Sequence, residues 1–227
     1  MAPMKRNPEL IVMLTYQDET VADALAIFER LQDAPVRHWG FKDVGLPPAE
    51  MRRVVSAMKA AGKTTYLEVV SLSEAEGLRG AQLAVEQGFD ILMGTVYFPS
   101  IRDYLAQTPV KYYPFPGRVE GHPSILGGTI EEIVAHARWL EAQGAQGLDL
   151  LTYRFTGDAA QLLGEVVAAV AVPVVSAGSI ASYARIAEVR DTGAWGFTIG
   201  SAFFDSAFVP GGFDANLRVV ADWLQAA

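Results

Sequence analysis

Short apolar runs alternate with longer amphipathic stretches along this chain, and half of the amphipathic stretches close at a glycine. Residues 10–15 form an apolar run of strand length. Residues 21–32 then space Leu25, Phe28 and Leu31 along one helical face, with Thr20 placed to cap the N-terminus. Residues 39–44 predict a second strand, and residues 48–61 a second helix with Gly62 at its C-terminal end. Residues 65–70 and 73–87 repeat the pattern, closed by Gly88, and residues 91–96 and 100–107 form a shorter fourth pair.

The fifth unit is less regular. Residues 110–115 have strand character, weakened at the end by Pro114 and Pro116. A loop of polar, Gly and Pro residues spans 117–128, and a helix over 129–143 opens on a capping box of Thr129 and Glu132 and closes at Gly144. Residues 148–153 and 158–170 make the sixth pair, and 173–177 and 182–192 the seventh. Residues 196–200 are the eighth strand and 215–225 the last helix, with room for a short extra helix within 203–214.

Strict strand–helix alternation predicts an α/β fold with a parallel sheet. Eight units in 227 residues leave about 28 residues each, near the minimum for a parallel βα repeat. The expected architecture is a single-domain (β/α)8 TIM barrel over residues 1–227, with a doubly wound open sheet as its rival. A barrel places its functional side chains at the C-terminal ends of the strands and in the loops that follow them.

Composition narrows the function. The chain is 51% hydrophobic and 19% charged, too apolar for a disordered segment. Its 18 Lys and Arg against 26 Asp and Glu give a net charge of −8, which argues against nucleic-acid or anionic-membrane partners. Without cysteine there are no disulfides, thiolate metal sites or thiol nucleophiles, which fits a cytoplasmic protein. The apolar run at 10–14 is too short to span a bilayer, and no targeting segment is expected.

The strongest chemical signal lies in the last quarter. Gly178 and Ser179 follow the seventh strand, and Gly200 and Ser201 follow the eighth. Backbone N–H groups at such turns can cradle an anion, and barrels commonly hold a phosphate at these two loops. The stretches PVVSAGSI and GAWGFTIGSAFF, within residues 173–204, resemble the C-terminal quarter of the ribulose-phosphate-binding barrels. That group includes histidine-biosynthesis isomerases, N-acetylmannosamine-6-phosphate 2-epimerases, and phosphosugar aldolases and synthases. The resemblance implies a TIM barrel and a phosphorylated small-molecule ligand, and leaves the reaction open. The 2-epimerases carry a lysine near an aspartate at the end of strand two, where this chain has Phe41, Lys42 and Asp43. Their sixth strand begins with aspartate, here Asp149. Their seventh ends on an acid/base glutamate whose place is taken here by Ala177, so the epimerase activity does not carry over.

Lys42 and Glu68 fall at matching places on strands two and three, within reach of an ion pair. Lys42 could bind an oxyanion, act as an acid or form a Schiff base, and Glu68 could serve as general base. The same pair could equally be a structural ion pair at the barrel rim. Asp43 is expected to face the other way by alternation, or else to sit in the loop and cap the next helix. Tyr153 and Arg154 follow strand six, where the planar fork of arginine suits a carboxylate or phosphate. Lys111, Tyr113 and Phe115 alternate on one face of strand five, with Lys111 near the barrel bottom. His122 lies in the long fifth loop, His38 opens a strand and His136 sits on an outer helix. No spacing of His, Asp and Glu suggests a metal site. The stretch from Ala57 to Gly62, Lys63 and Thr64 imitates a phosphate-binding loop but closes a helix instead of opening one.

The sequence therefore predicts a phosphate-binding TIM-barrel aldolase, lyase, isomerase or epimerase, acting on a phosphosugar-like metabolite with no metal and no cofactor. Its chemistry falls to Lys42 and Glu68, and binding to Gly178, Ser179, Gly200, Ser201, Arg154 and Tyr153. The alternative is a metabolite-sensing barrel that binds such a ligand without turning it over. Homo-oligomerisation is left open.

Overall fold

The computed structural model describes residues 7–121 and 123–226. Eight parallel strands form its sheet. They are β1 (Glu9–Met13), β2 (His38–Lys42), β3 (Thr64–Val69), β4 (Ile91–Gly94), β5 (Lys111–Tyr113), β6 (Leu148–Leu150), β7 (Val174–Ser176) and β8 (Gly196–Ile199). The ladder runs β6-β7-β8-β1-β2-β3-β4-β5. Its two ends approach each other: Gln146 N–H donates to Tyr112 C=O at 3.0 Å and Asp149 N–H to Pro114 C=O at 3.2 Å. The sheet is thereby a nearly closed barrel, and the open-sheet alternative falls away.

Parallel strands buried on both faces explain the near-continuous apolar runs of the sequence. Ile11, Met13, Tyr66, Ile91, Met93, Tyr113 and Val175 fill the barrel interior. The alternate residues, among them Val12, Phe41, Leu67, Leu92, Leu148 and Phe197, face the surrounding helices and form the larger core with them. Gly147 has a packing reason to be glycine, since a Cβ there would stand 2.5 Å from the Tyr113 ring.

The helices are α1 (Ala24–Leu31), α2 (Pro48–Ala60), α3 (Glu74–Gln87), α4 (Pro99–Leu105), α5 (Ile130–Ala142), α6 (Ala159–Ala169), α7 (Tyr183–Thr192) and, after a short helix Ser201–Phe204, α8 (Gly212–Ala226). Their caps follow the sequence in several places. Ser73, Asp158 and Ser182 cap α3, α6 and α7, and Thr129 with Glu132 forms the capping box of α5. The imitation phosphate loop does close α2, with Gly62 at φ +71°. No helix among the described residues is long and apolar enough to cross a membrane.

Four local expectations are corrected. Thr20 does not cap α1; it belongs to an antiparallel hairpin, Thr15–Tyr16 with Glu19–Thr20, that rises from the end of β1. The fifth loop contains a second hairpin, Arg118–Glu120 with Ile125–Gly127, and His122 lies outside the described residues. Asp43 does not cap α2, whose N-cap is Pro47. Phe115 leaves the inner face of β5 and joins the outer core.

Candidate active site

The C-terminal ends of the strands surround a cavity of about 400 Å³. Met13, Lys42, Glu68 and Thr198 line it together with Arg154, Gly178, Ser179, Gly200 and Ser201. The expected chemical pair and the expected anion turns therefore open into one space.

Strand register brings the pair together. Lys42 on β2 sits directly opposite Glu68 on β3, and both side chains face the interior by alternation. Lys42 Nζ lies 4.0 Å from Glu68 Oε1 and 2.7 Å from Asp18 Oδ1. Burial pushes the Lys42 ammonium down, but Glu68 and Asp18 outweigh it, and its pKa ends above the ordinary lysine value. Lys42 is thus an ammonium in a largely dry setting.

Asp18 reaches Lys42 from the first hairpin, which is stitched to β2 at this very residue. Thr20 Oγ1 accepts from Lys42 N–H at 3.0 Å and donates to Lys42 C=O at 2.8 Å. At the turn, Gln17 N–H reaches Ser201 Oγ at 3.3 Å. One short hairpin thus touches both the lysine and the second Gly-Ser turn.

Asp149 is the functional candidate that sequence reasoning did not select. It is fully buried on β6, and neither carboxyl oxygen has a hydrogen-bond partner among the described residues. Desolvation, then the nearby Glu68 charge, push its pKa well above the usual carboxylate range, and Lys42 opposes them only in part. The available signal was a single acidic residue between Leu148 and Leu150 in a doubly buried strand.

The two Gly-Ser turns supply donors. Among the described residues, none of the amides of Gly178, Ser179, Gly200 and Ser201 donates to a backbone carbonyl. Gly178 and Ser179 hold φ values of +82° and +58°, the left-handed geometry that turns successive amides into a concave nest. The extra helix begins at Ser201 itself, earlier than its sequence placement.

Arg154 stands in the short 3-10 turn Thr152–Arg154 after β6 and lines the cavity beside Gly178. Tyr153, expected at the ligand, does not line it. Its hydroxyl instead donates to Glu188 at 2.9 Å, and the Arg185 guanidinium lies 4.7 Å from its ring. Arg185, missed by the sequence reading, lines the cavity and donates to the Ser179 carbonyl. His38 lies at the opposite end of the barrel, 2.9 Å from the Tyr66 hydroxyl, and His136 accepts from Gly117 N–H at 2.8 Å on the outside. Among the described residues, no three His, Cys, Asp or Glu side chains group as a metal site.

No protein-family model matches the chain, and no curated protein matches it in sequence. Solved structures do match its fold. The tryptophan synthase complex from Pyrococcus furiosus aligns with a TM-score of 0.69 at 13% identity, over 99% of this chain and all of that one. A native KDPGal structure aligns at 0.68 and 15%, over 96% of each chain. The N-acetylmannosamine-6-phosphate 2-epimerase from Clostridium perfringens aligns at 0.64 and 11%, over 99% and 95%. The chain spans only 60% of FabK from Thermotoga maritima, which it also resembles. At these identities the likeness establishes the TIM-barrel fold.

Proposed function

We propose that this chain is a TIM-barrel enzyme that binds a small phosphate ester and moves a proton at a carbon beside a carbonyl, as an isomerase or epimerase does. One observation carries the reading. Four backbone amides without a backbone acceptor share a cavity with the Lys42 ammonium and the Glu68 carboxyl, and the Asp149 carboxyl is buried close to that pair. Unsatisfied amides in a concave turn attract an anion, and the phosphate of a substrate is the anion that barrels of this plan take there. Likeness to an epimerase whose name specifies a 6-phosphate adds support at the level of fold.

The roles follow from charge. Glu68 removes the proton from carbon. Lys42, held as an ammonium by Asp18, donates to the oxygen where negative charge develops. Asp149 keeps a proton because it is dry and close to Glu68, and it is the acid of the pair. It answers the substitution of Ala177 for the glutamate of the 2-epimerases, one strand away. A Schiff base would need Lys42 as a free amine, and its two carboxylate neighbours act against that.

Proton NMR of a phosphosugar panel in deuterium oxide tests this. One member should lose a carbon-bound hydrogen signal, and Glu68→Gln should slow the loss by about a hundredfold or more. Unchanged exchange in that variant would overturn the assignment. A borohydride-trapped adduct on Lys42 would move the chain to the Schiff-base lyases. Tight binding with no exchange anywhere would make it a sensing barrel.

A further inference from the structure

Arg154 is an unbalanced charge of the cavity. Lys42 faces Asp18 and Glu68, and Arg185 is held by the Ser179 carbonyl and the Tyr153 ring. Arg154 pairs with no carboxylate among the described residues, and its buried Nε has no acceptor. A guanidinium that lines a cavity without a carboxylate partner draws an arriving anion to its remaining N–H donors.

Its position ties it to the first Gly-Ser turn and to the space shared with the reacting groups. The aliphatic stem lies across Gly178, where a Cβ would stand 2.9 Å from Arg154 Cγ and 3.3 Å from Nε. Its charge is felt at Lys42, whose ammonium it opposes. Arg154 therefore borders the one cavity that the Gly-Ser turns share with Lys42 and Glu68. The backbone amides at the turns already answer one anion. The planar fork answers another, and two parallel N–H donors match a carboxylate.

We propose that the ligand is a phosphate ester that also bears a carboxylate near its reacting carbon, and that Arg154 binds that carboxylate. The inference rests on the phosphate-site reading above. A cavity of about 400 Å³ takes a small phosphorylated acid. A neutral phosphosugar would leave Arg154 unanswered, and a site with an unanswered buried donor discriminates against such a ligand.

Calorimetric titration with three probes tests the proposal: inorganic phosphate, ethyl phosphate and phosphoglycolate. Wild-type protein should bind phosphoglycolate at least about tenfold more tightly than ethyl phosphate. Arg154→Met should erase that preference and leave ethyl phosphate within about threefold of wild type. Arg154→Lys, which keeps the charge but not the fork, should lose most of the preference. Equal binding of the two esters by wild type overturns the proposal whatever the variants do. So does an Arg154→Met variant that loses ethyl phosphate and inorganic phosphate along with phosphoglycolate, which would make Arg154 a phosphate ligand. Failure of all three probes to bind wild type would instead overturn the phosphate reading on which the proposal stands.

Discussion

Gly178 holds φ +82°, and a Cβ there would press on the Arg154 stem, so two separate constraints fix one residue. Gly178→Ala should destabilise the fold by about 1–3 kcal/mol in a denaturant melt and weaken anion binding together with it. Unchanged stability would show that the turn relaxes freely. Asp149 makes a pH prediction. The native state keeps its proton above the usual carboxylate range, whereas the unfolded chain releases it near pH 4. The native state thus binds more protons from about pH 4 upward, and stability from this group falls as pH rises through that window. Asp149→Asn should flatten the slope and raise the melting temperature at pH 7 by a few degrees, while abolishing proton transfer. Calorimetry at pH 5 and 8 measures it, and parallel slopes in the two proteins would contradict it. The lysine and glutamate were legible because a charged residue in an apolar strand is conspicuous. Asp149 was legible by the same rule, but its importance lies in two orphaned oxygens, which depend on what the other strands bring near.

The hairpin at residues 15–20 shows what the element scale adds. Two-residue hairpin turns favour Asn or Asp followed by glycine, because both central residues take positive φ. Here the turn is Gln17 and Asp18, at +49° and +66°, so no turn signature marks it in the sequence. Its alternation is also too short to read as strands. Among the described residues, Gln17, Asp18, Thr95 and Ser179 hold positive φ beyond the C-terminal ends of strands, and Ser206 does so after the short helix Ser201–Phe204. Such strain persists where surrounding contacts hold it, and here Asp18 is held by Lys42. Asp18→Gly should ease the turn yet lower the pKa of Lys42, because a carboxylate 2.7 Å away is removed. A side-chain NMR titration of Lys42 reads this directly. An unchanged pKa would mean that Glu68 alone sustains the ammonium. The fifth loop hid its hairpin for a similar reason, since Arg118–Glu120 and Ile125–Gly127 alternate over only three residues each.

At the scale of the molecule, eight βα units in 227 residues leave little chain beyond the barrel itself. That periodicity made the fold legible without any relative in sequence, because a strand buried on both faces followed by an amphipathic helix is a local pattern repeated eight times. The meeting of β5 and β6 was not legible, since closure depends on strand tilt and on two hydrogen bonds between residues far apart in the chain. A net charge of −8 opposes general anion binding, so an anion must be drawn by placed donors. The amides at two Gly-Ser turns are those donors. The most direct test is a crystal of the protein soaked in inorganic phosphate. The account predicts an anion within about 3 Å of the amides of Ser179 and Ser201, above Lys42 and Glu68. An empty nest, with phosphate bound only elsewhere on the surface, would contradict it.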